Sequence, residues 1–257
     1  EAANYDEHLS ALGDCDLVIE AIAERLDWKH ALYEKIAPHL RPHTILATNT
    51  SGLSITALGA GLPGALASRF CGVHFFNPPR YMSLVELIAT PNTAPDVMDR
   101  LETFVTSGLG KTVVRAKDTP NFIANRIGTA GLLATFVEAE RYGLTVDVVD
   151  DLTGKKLGRA SSGTFRTADI VGLDTLAHVI RTLQDNLDVT SDPFYPHFGT
   201  PAVLQTLIDK GHLGQKTKKG FYRKQGRDVL RFDVTQGDYV RSEDTRLNSS
   251  HHEVSRM

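Results

Sequence analysis

Cysteine is almost missing from this sequence: Cys15 and Cys71 are the two cysteines in 257 residues. Neither stands in a Cys-x-x-Cys pair, which excludes a disulfide framework and a zinc site and leaves two reduced thiols, both expected to be buried. No apolar run approaches the roughly 18 residues that a membrane span requires. No secretory leader opens the chain, and the expected compartment is the cytoplasm. Basic excess is missing too. A net charge of −3 carries no electrostatic footprint for nucleic acid, so no nucleic-acid partner is expected. There is no internal repeat and no low-complexity tract. Periodicity fails in the last stretch, 241–257, which reads as a non-native, disordered tail, so His251 and His252 within it take no ligand role.

What remains is an ordinary globular composition, 41% apolar and 23% charged, long enough for one or two domains. Residues 16–22 (DLVIEAI) form a nearly continuous apolar run, the pattern of a strand buried on both faces. Residues 26–40 carry Trp28, Leu32, Ile36 and Leu40 at helical spacing, and Pro42 helps to stop that helix. Further strands are expected at 44–48, 69–76, 84–88 and 111–116, with a short helix at 55–62 and another opening at Pro95. Strands alternating with helices imply an α/β layer on a mostly parallel sheet. The pattern changes near Lys117. Helices are expected at 121–142, 146–157, 168–187 and 201–210, with no confident strand among them.

Two acid–base candidates stand out. His74 ends one apolar strand and Glu86 lies inside the next, with Asn77-Pro78-Pro79 between them. A tight turn there would bring the second strand back beside the first and set carboxylate against imidazole. A carboxylate in an apolar strand needs a partner, because burying it alone is costly. A His–Glu pair is a general base with an orienting group, able to take an alcohol proton while hydride leaves the same carbon. A structural pair under a loop is the competing reading. Asn49 and Ser51 lie just past the carboxyl end of a strand, where ligands bind in open α/β sheets, although turn chemistry alone accounts for Asn, Ser and Gly there. Ser51, His74 and Glu86 also permit a hydrolase triad, but no Gly-x-Ser-x-Gly elbow surrounds Ser51. Asn125, near the start of the long helix, and Lys216, in a basic segment, are ordinary surface residues on their own.

Taken together, VIEAIAE (18–24), ATNTS (47–51), HFFNPP…LVELI (74–88), KDTPNFIANR (117–126), VGLDT (171–175) and GQKTKKGFY (214–222) resemble the L-3-hydroxyacyl-CoA dehydrogenases of fatty-acid β-oxidation. The resemblance implies a partial Rossmann-like, doubly wound sheet followed by an all-α domain. Residues 1–116 would be the C-terminal portion of an NAD-binding domain and residues 117–240 the helical domain. It implies an acyl-CoA substrate, NAD as cofactor and a homodimer formed through the helices. It implies His74 as general base with Glu86 as its partner, and Ser51 and Asn125 around the substrate oxygen. Glu24, Lys29, Asn49, Ser51, Asn77 and Lys216 match cofactor-contacting positions. The alternatives are a non-enzymatic relative of the lens lambda-crystallin type and a dehydrogenase restricted to 3-hydroxybutyryl-CoA.

Three departures from the family pattern raise expectations of their own. The opening strand with its Gly-x-Gly-x-x-Gly phosphate loop has no counterpart, so an N-terminally truncated chain with poor NAD binding and raw sheet edges is expected. Asn121 replaces a glycine common after Thr-Pro, which requires either negative φ or an asparagine in the left-handed region. Residues 158–169 resemble a bacterial branch fused to an enoyl-CoA hydratase-like domain.

Overall fold

The computed structural model describes residues 2–190 and 192–242. The tail expectation therefore falls, from residue 243 onward, outside the described residues. The chain divides into two compact units, Glu1–Arg126 and Ile127–Met257.

The first unit alternates strand and helix in the order β1 (Leu17–Glu20), α1 (Leu26–Ile36), β2 (Ile45–Thr48), α2 (Ile55–Gly59), α3 (Gly64–Ala67), β3 (Phe70–Phe75), β4 (Leu84–Ala89), α4 (Pro95–Thr103) and β5 (Thr112–Ala116). The sheet order is β1-β2-β3-β4-β5, with every neighbouring pair parallel except β3–β4. Strand alternation splits its side chains between two cores. Leu46, Phe70 and Ile88 pack with Tyr33, Ile36, Ile55 and Leu58 from α1 and α2 on one face. Ile45, Ala47, Cys71, Val73, Val85 and Leu87 pack with Val97, Met98 and Leu101 of α4 on the other. Gly72 is required at its place in β3, because a Cβ there would lie 2.9 Å from Ile55 Cδ1 and 3.1 Å from Ile88 Cδ1. Cys71 is buried, and burial pushes its thiol up to about 12. Cys15, against expectation, is only half-buried, with its thiol directed at the Ala11 carbonyl. The outer edge of β1 pairs with no described strand, and Ile19 on it is 40% exposed.

α5 (Ala124–Arg141) leads into the second unit, which continues with α6 (Val146–Thr153), α7 (Phe165–Val171), α8 (Leu173–Asn186) and α9 (Ala202–Asp209). The helix expected over 168–187 is two helices, because Gly172 takes φ +97°, a conformation that L side chains rarely adopt. The helical region does not end in helix. β6 (Tyr222–Gln225), β7 (Asp228–Asp233) and β8 (Asp238–Arg241) add an antiparallel meander. It is fastened by Arg231, which pairs with Asp147 of α6 at 3.3 Å and with Asp233 at 3.0 Å. Phe136, Phe165 and Phe221 meet edge to face, with centroids 4.6–5.4 Å apart, at the centre of the core. No helix among the described residues is long and apolar enough to cross a membrane.

Two buried carboxylates staple this unit. Asp150 accepts from the Thr164, Phe165 and Arg166 N–H groups and from the Tyr222 hydroxyl. Asp169 accepts from the Phe221 and Tyr222 N–H groups. Burial, with the charge of Asp150 beside it, lifts Asp169 from the ordinary 3.8 to about 6, despite those donors. The folded unit thus holds this proton more tightly than the unfolded chain does. Its contribution is fully present below about pH 4 and is lost as pH rises through about 6. The free energy of hydrogen exchange for α8 core amides should therefore fall by roughly 1–3 kcal/mol between about pH 4.5 and 7. Asp169→Asn should flatten that dependence.

Candidate active site

The parallel strands β1, β2 and β3 end at the same edge of the sheet, and the polar residues of the first unit collect there. Asn49, one residue past β2, links all three: its N–H donates to the Glu20 carbonyl at 2.8 Å and its Oδ1 accepts from the Phe75 N–H at 2.9 Å. β4 then runs back antiparallel to β3, with His74 directly opposite Glu86. Facing residues in such a pair point to the same side of the sheet. The result is a hydrogen bond of 2.8 Å between His74 Nδ1 and Glu86 Oε2, with the residues 4% and 1% exposed.

The other Glu86 oxygen accepts from the Ile123 and Ala124 N–H groups, at 3.0 and 2.9 Å, and so holds the start of α5. Burial pushes the Glu86 carboxyl up, but the hydrogen bonds from His74, Ala124 and Ile123 outweigh it and hold it below its ordinary value. An ionised Glu86 only accepts, so Nδ1 carries a proton toward it, and in the neutral imidazole the lone pair lies on Nε2. No described residue bonds to Nε2. The rings of Phe76 and Phe122 flank His74, with centroids 4.5 and 5.5 Å away. Asn121 and Phe122 both adopt left-handed backbone, φ 56° and 53°. Asparagine tolerates this region well, which meets the expectation of an asparagine in the left-handed region at this position. For Phe122 it is strained, at a cost of order 1–3 kcal/mol, and it places an aromatic ring beside His74.

The turn after β2 is organised by Glu24. Its Oε1 accepts from the Thr50 hydroxyl and from the N–H groups of Ser51 (2.9 Å), Gly52 (2.7 Å) and Leu53 (3.3 Å). Burial opposes ionisation of Glu24, but these bonds and the nearby charge of Lys29 prevail and lower its pKa. Lys29 itself is fully buried, its ammonium 2.7 Å from Glu20 and 3.8 Å from Glu24. Asp118, from the KDTP motif, accepts from Ser54 Oγ (2.8 Å) and from the Ile55 and Thr56 N–H groups, closing the far end of the same turn. Sequence reasoning assigned Glu20 and Asp118 nothing. Glu20 carried the same signal as Glu86, an acid inside an apolar strand.

The Ser51 hydroxyl and the Asn77 and Asn125 amides have no hydrogen-bond partner among the described residues. Ser51 and His74 share no hydrogen bond, so the hydrolase triad is not formed. Lys216 belongs to the second unit, where it pairs with Asp174 at 2.5 Å.

Residues 1–119 match the 3-hydroxyacyl-CoA dehydrogenase NAD binding domain, and residues 122–224 match the C-terminal domain of the same enzymes. The chain belongs to the 3-hydroxyacyl-CoA dehydrogenase family. It is 43% identical over 224 residues to a probable 3-hydroxyacyl-CoA dehydrogenase of Deinococcus radiodurans, covering 87% of this chain and 63% of that one. It is 39% identical over 250 residues to a Bacillus subtilis protein of the same description, covering 96% of this chain and 31% of that one. The chain thus spans less than two thirds of the length of these relatives. The solved (S)-3-hydroxybutyryl-CoA dehydrogenase PaaH1 of Ralstonia eutropha superposes with a TM-score of 0.72 at 31% identity, covering 85% of this chain and 72% of that one.

A Gly-x-Gly-x-x-Gly spacing does occur, at 59–64. It joins α2 to α3 instead of following a strand, so it lacks the strand–turn–helix context that holds a pyrophosphate.

Replacing Glu86 by alanine strands one buried donor, the His74 Nδ1–H, and two partly buried ones, the Ile123 and Ala124 N–H groups. With about 1–3 kcal/mol for the buried donor, Glu86→Ala should lower the exchange free energy of β3–β4 amides by roughly 1–3 kcal/mol.

Proposed function

We propose that the protein to which this chain belongs oxidises (S)-3-hydroxyacyl-CoA to 3-oxoacyl-CoA with reduction of NAD, as a step of fatty-acid β-oxidation. The observation that carries this reading is the buried His74–Glu86 pair, in which Nδ1 is held by Glu86 and Nε2 is bonded to no described residue, at the carboxyl edge of the sheet. His74 Nε2 takes the proton of the 3-hydroxyl. Glu86, ionised, fixes the tautomer and stabilises the imidazolium that forms. Ser51 and Asn125 hold the substrate oxygen by hydrogen bonds. Glu24, Asn49 and Asn77 hold the nicotinamide nucleotide, with Lys29 standing behind Glu24. When bound, that cofactor supplies the acceptor for the hydride leaving C3.

Several coarser features complete the reading. A homodimer face lies on the helical unit, supported by exposed Val137, Tyr142, Leu144 and Leu152. The threefold greater length of the B. subtilis relative supports a further, hydratase-like domain in the whole protein. The compartment in this reading is the cytoplasm, where the free Cys15 and Cys71 would stay reduced. A purely structural protein of the lens type has no need of His74, Glu86, Ser51 and Asn125 together, which disfavours it.

The reading is tested by acetoacetyl-CoA-dependent NADH oxidation with the chain extended to the full length of its relatives. His74→Gln should lower turnover by about 10²–10⁴-fold while NADH affinity stays nearly unchanged. Near-normal turnover in that variant would remove His74 as the base. Glu86→Gln should slow the reaction and displace its pH profile, and an unmoved profile returns Glu86 to a structural duty.

A further inference from the structure

Both carboxylate oxygens of Glu20 are satisfied. Its Oε1 accepts from the Ile22 N–H (2.6 Å) and the Lys29 ammonium (2.7 Å), and its Oε2 from the hydroxyls of Tyr33 (2.9 Å) and Thr48 (2.7 Å). Glu20 is 4% exposed and Lys29 0%. Besides Glu20, the ammonium touches the Ile22 carbonyl at 3.3 Å and lies 3.8 Å from Glu24 Oε2. The buried cation therefore faces two carboxylates, and one of them is already engaged elsewhere. Glu24 Oε1 is the acceptor for the Thr50 hydroxyl and for the amides of Ser51, Gly52 and Leu53.

A buried ammonium without a close anion is severely destabilised. Were Glu20 uncharged, Glu24 would be the carboxylate within reach. Closing the gap from 3.8 Å to contact would draw it away from the turn amides. The turn would then lose the oxygen that gathers its hydroxyl and three N–H groups.

We propose that Glu20 is a positioning residue. By neutralising Lys29 between β1 and α1, it leaves Glu24 free to hold the 50–53 turn and with it the Ser51 hydroxyl. Lys29 is in this arrangement a rival for Glu24, kept in check by Glu20. The bearing on turnover rests on the part given to Ser51 above. The geometry of the turn does not, and the test reads the turn directly, so a failed dehydrogenase assay and a failed exchange experiment are separate results.

The experiment is amide hydrogen exchange by NMR on the full chain, with the β3–β4 ladder as internal reference. E20Q should speed exchange at Ser51, Gly52 and Leu53 by about tenfold or more, with the ladder within about threefold of wild type. Removing the cation should remove the rivalry, so K29M alone and E20Q/K29M should both keep these amides within about threefold of wild type. Unchanged turn exchange in E20Q overturns the proposal, as does acceleration spread equally over the ladder. So does a double variant as labile as E20Q, since the turn would then be answering to Glu20 itself. Should E20Q not fold, K29M decides: retained protection at 51–53 supports the proposal, and a loss of about tenfold with an intact ladder overturns it by making Lys29 the support of Glu24.

Discussion

An ionised carboxylate inside a protein must be given donors for its oxygens, and this fold is arranged around that demand. Glu86 is the central case. It sits within an apolar strand and takes the His74 ring on one oxygen and the first amides of α5 on the other. The same group therefore orients the imidazole, ties β4 to β3, and fixes the start of the helix that carries Asn125. Removing such a group costs more than the bond to His74 is worth singly, because the imidazole donor left behind is itself buried.

The pattern recurs through both units. Glu20 gathers β1, α1 and β2, and Glu24 gathers the turn that bears Ser51. Asp118 closes the other end of that turn. In the helical unit Asp150 and Asp169 tie α7 to the strand that opens the terminal meander. The difference lies in balance. Around Glu24 and Glu86 the donors outweigh burial and the acids stay ionised. Around Asp169, burial and a second acid prevail. The ionised pair serves the chemistry proposed for the sheet edge, where a base must find a fixed anion behind it.

The antiparallel turn of β4 is what makes the His74–Glu86 pair possible. In an all-parallel sheet, adjacent strands end together but are joined by long crossovers, and a short turn cannot bring residues 74 and 86 opposite each other. The reversal places them in direct register. The left-handed backbone at Asn121 and Phe122 follows from the same construction, since the chain must bend sharply to bring the Ile123 and Ala124 amides to Glu86. Strain held beside a reactive group by surrounding contacts is a recurrent feature of functional sites.

Much of this was legible without coordinates, and for local reasons. Apolar runs marked the strands of the sheet, most firmly β2, β3 and β4, because a strand buried on both faces must be apolar along its length. An acid within such a run, Glu86, announced a partner, and the prolines after His74 announced the reversal. What lay beyond reach was anything set by neighbours distant in the chain. That Lys29 is buried while Glu24 keeps partial exposure depends on Glu20, Tyr33 and Thr48 converging through space. The break at Gly172 lay inside a periodicity that ran on through it. The meander of β6–β8 is short and polar, and it exists because Arg231 and the Phe221 ring find partners in α6 and the aromatic core. Periodicity and composition are properties of neighbouring residues, so the sequence alone determined the strands of the first unit and the chemical repertoire. Burial and partnership are properties of the packed chain, and only the tertiary structure decided which acid faces which cation and which nitrogen of His74 faces Glu86.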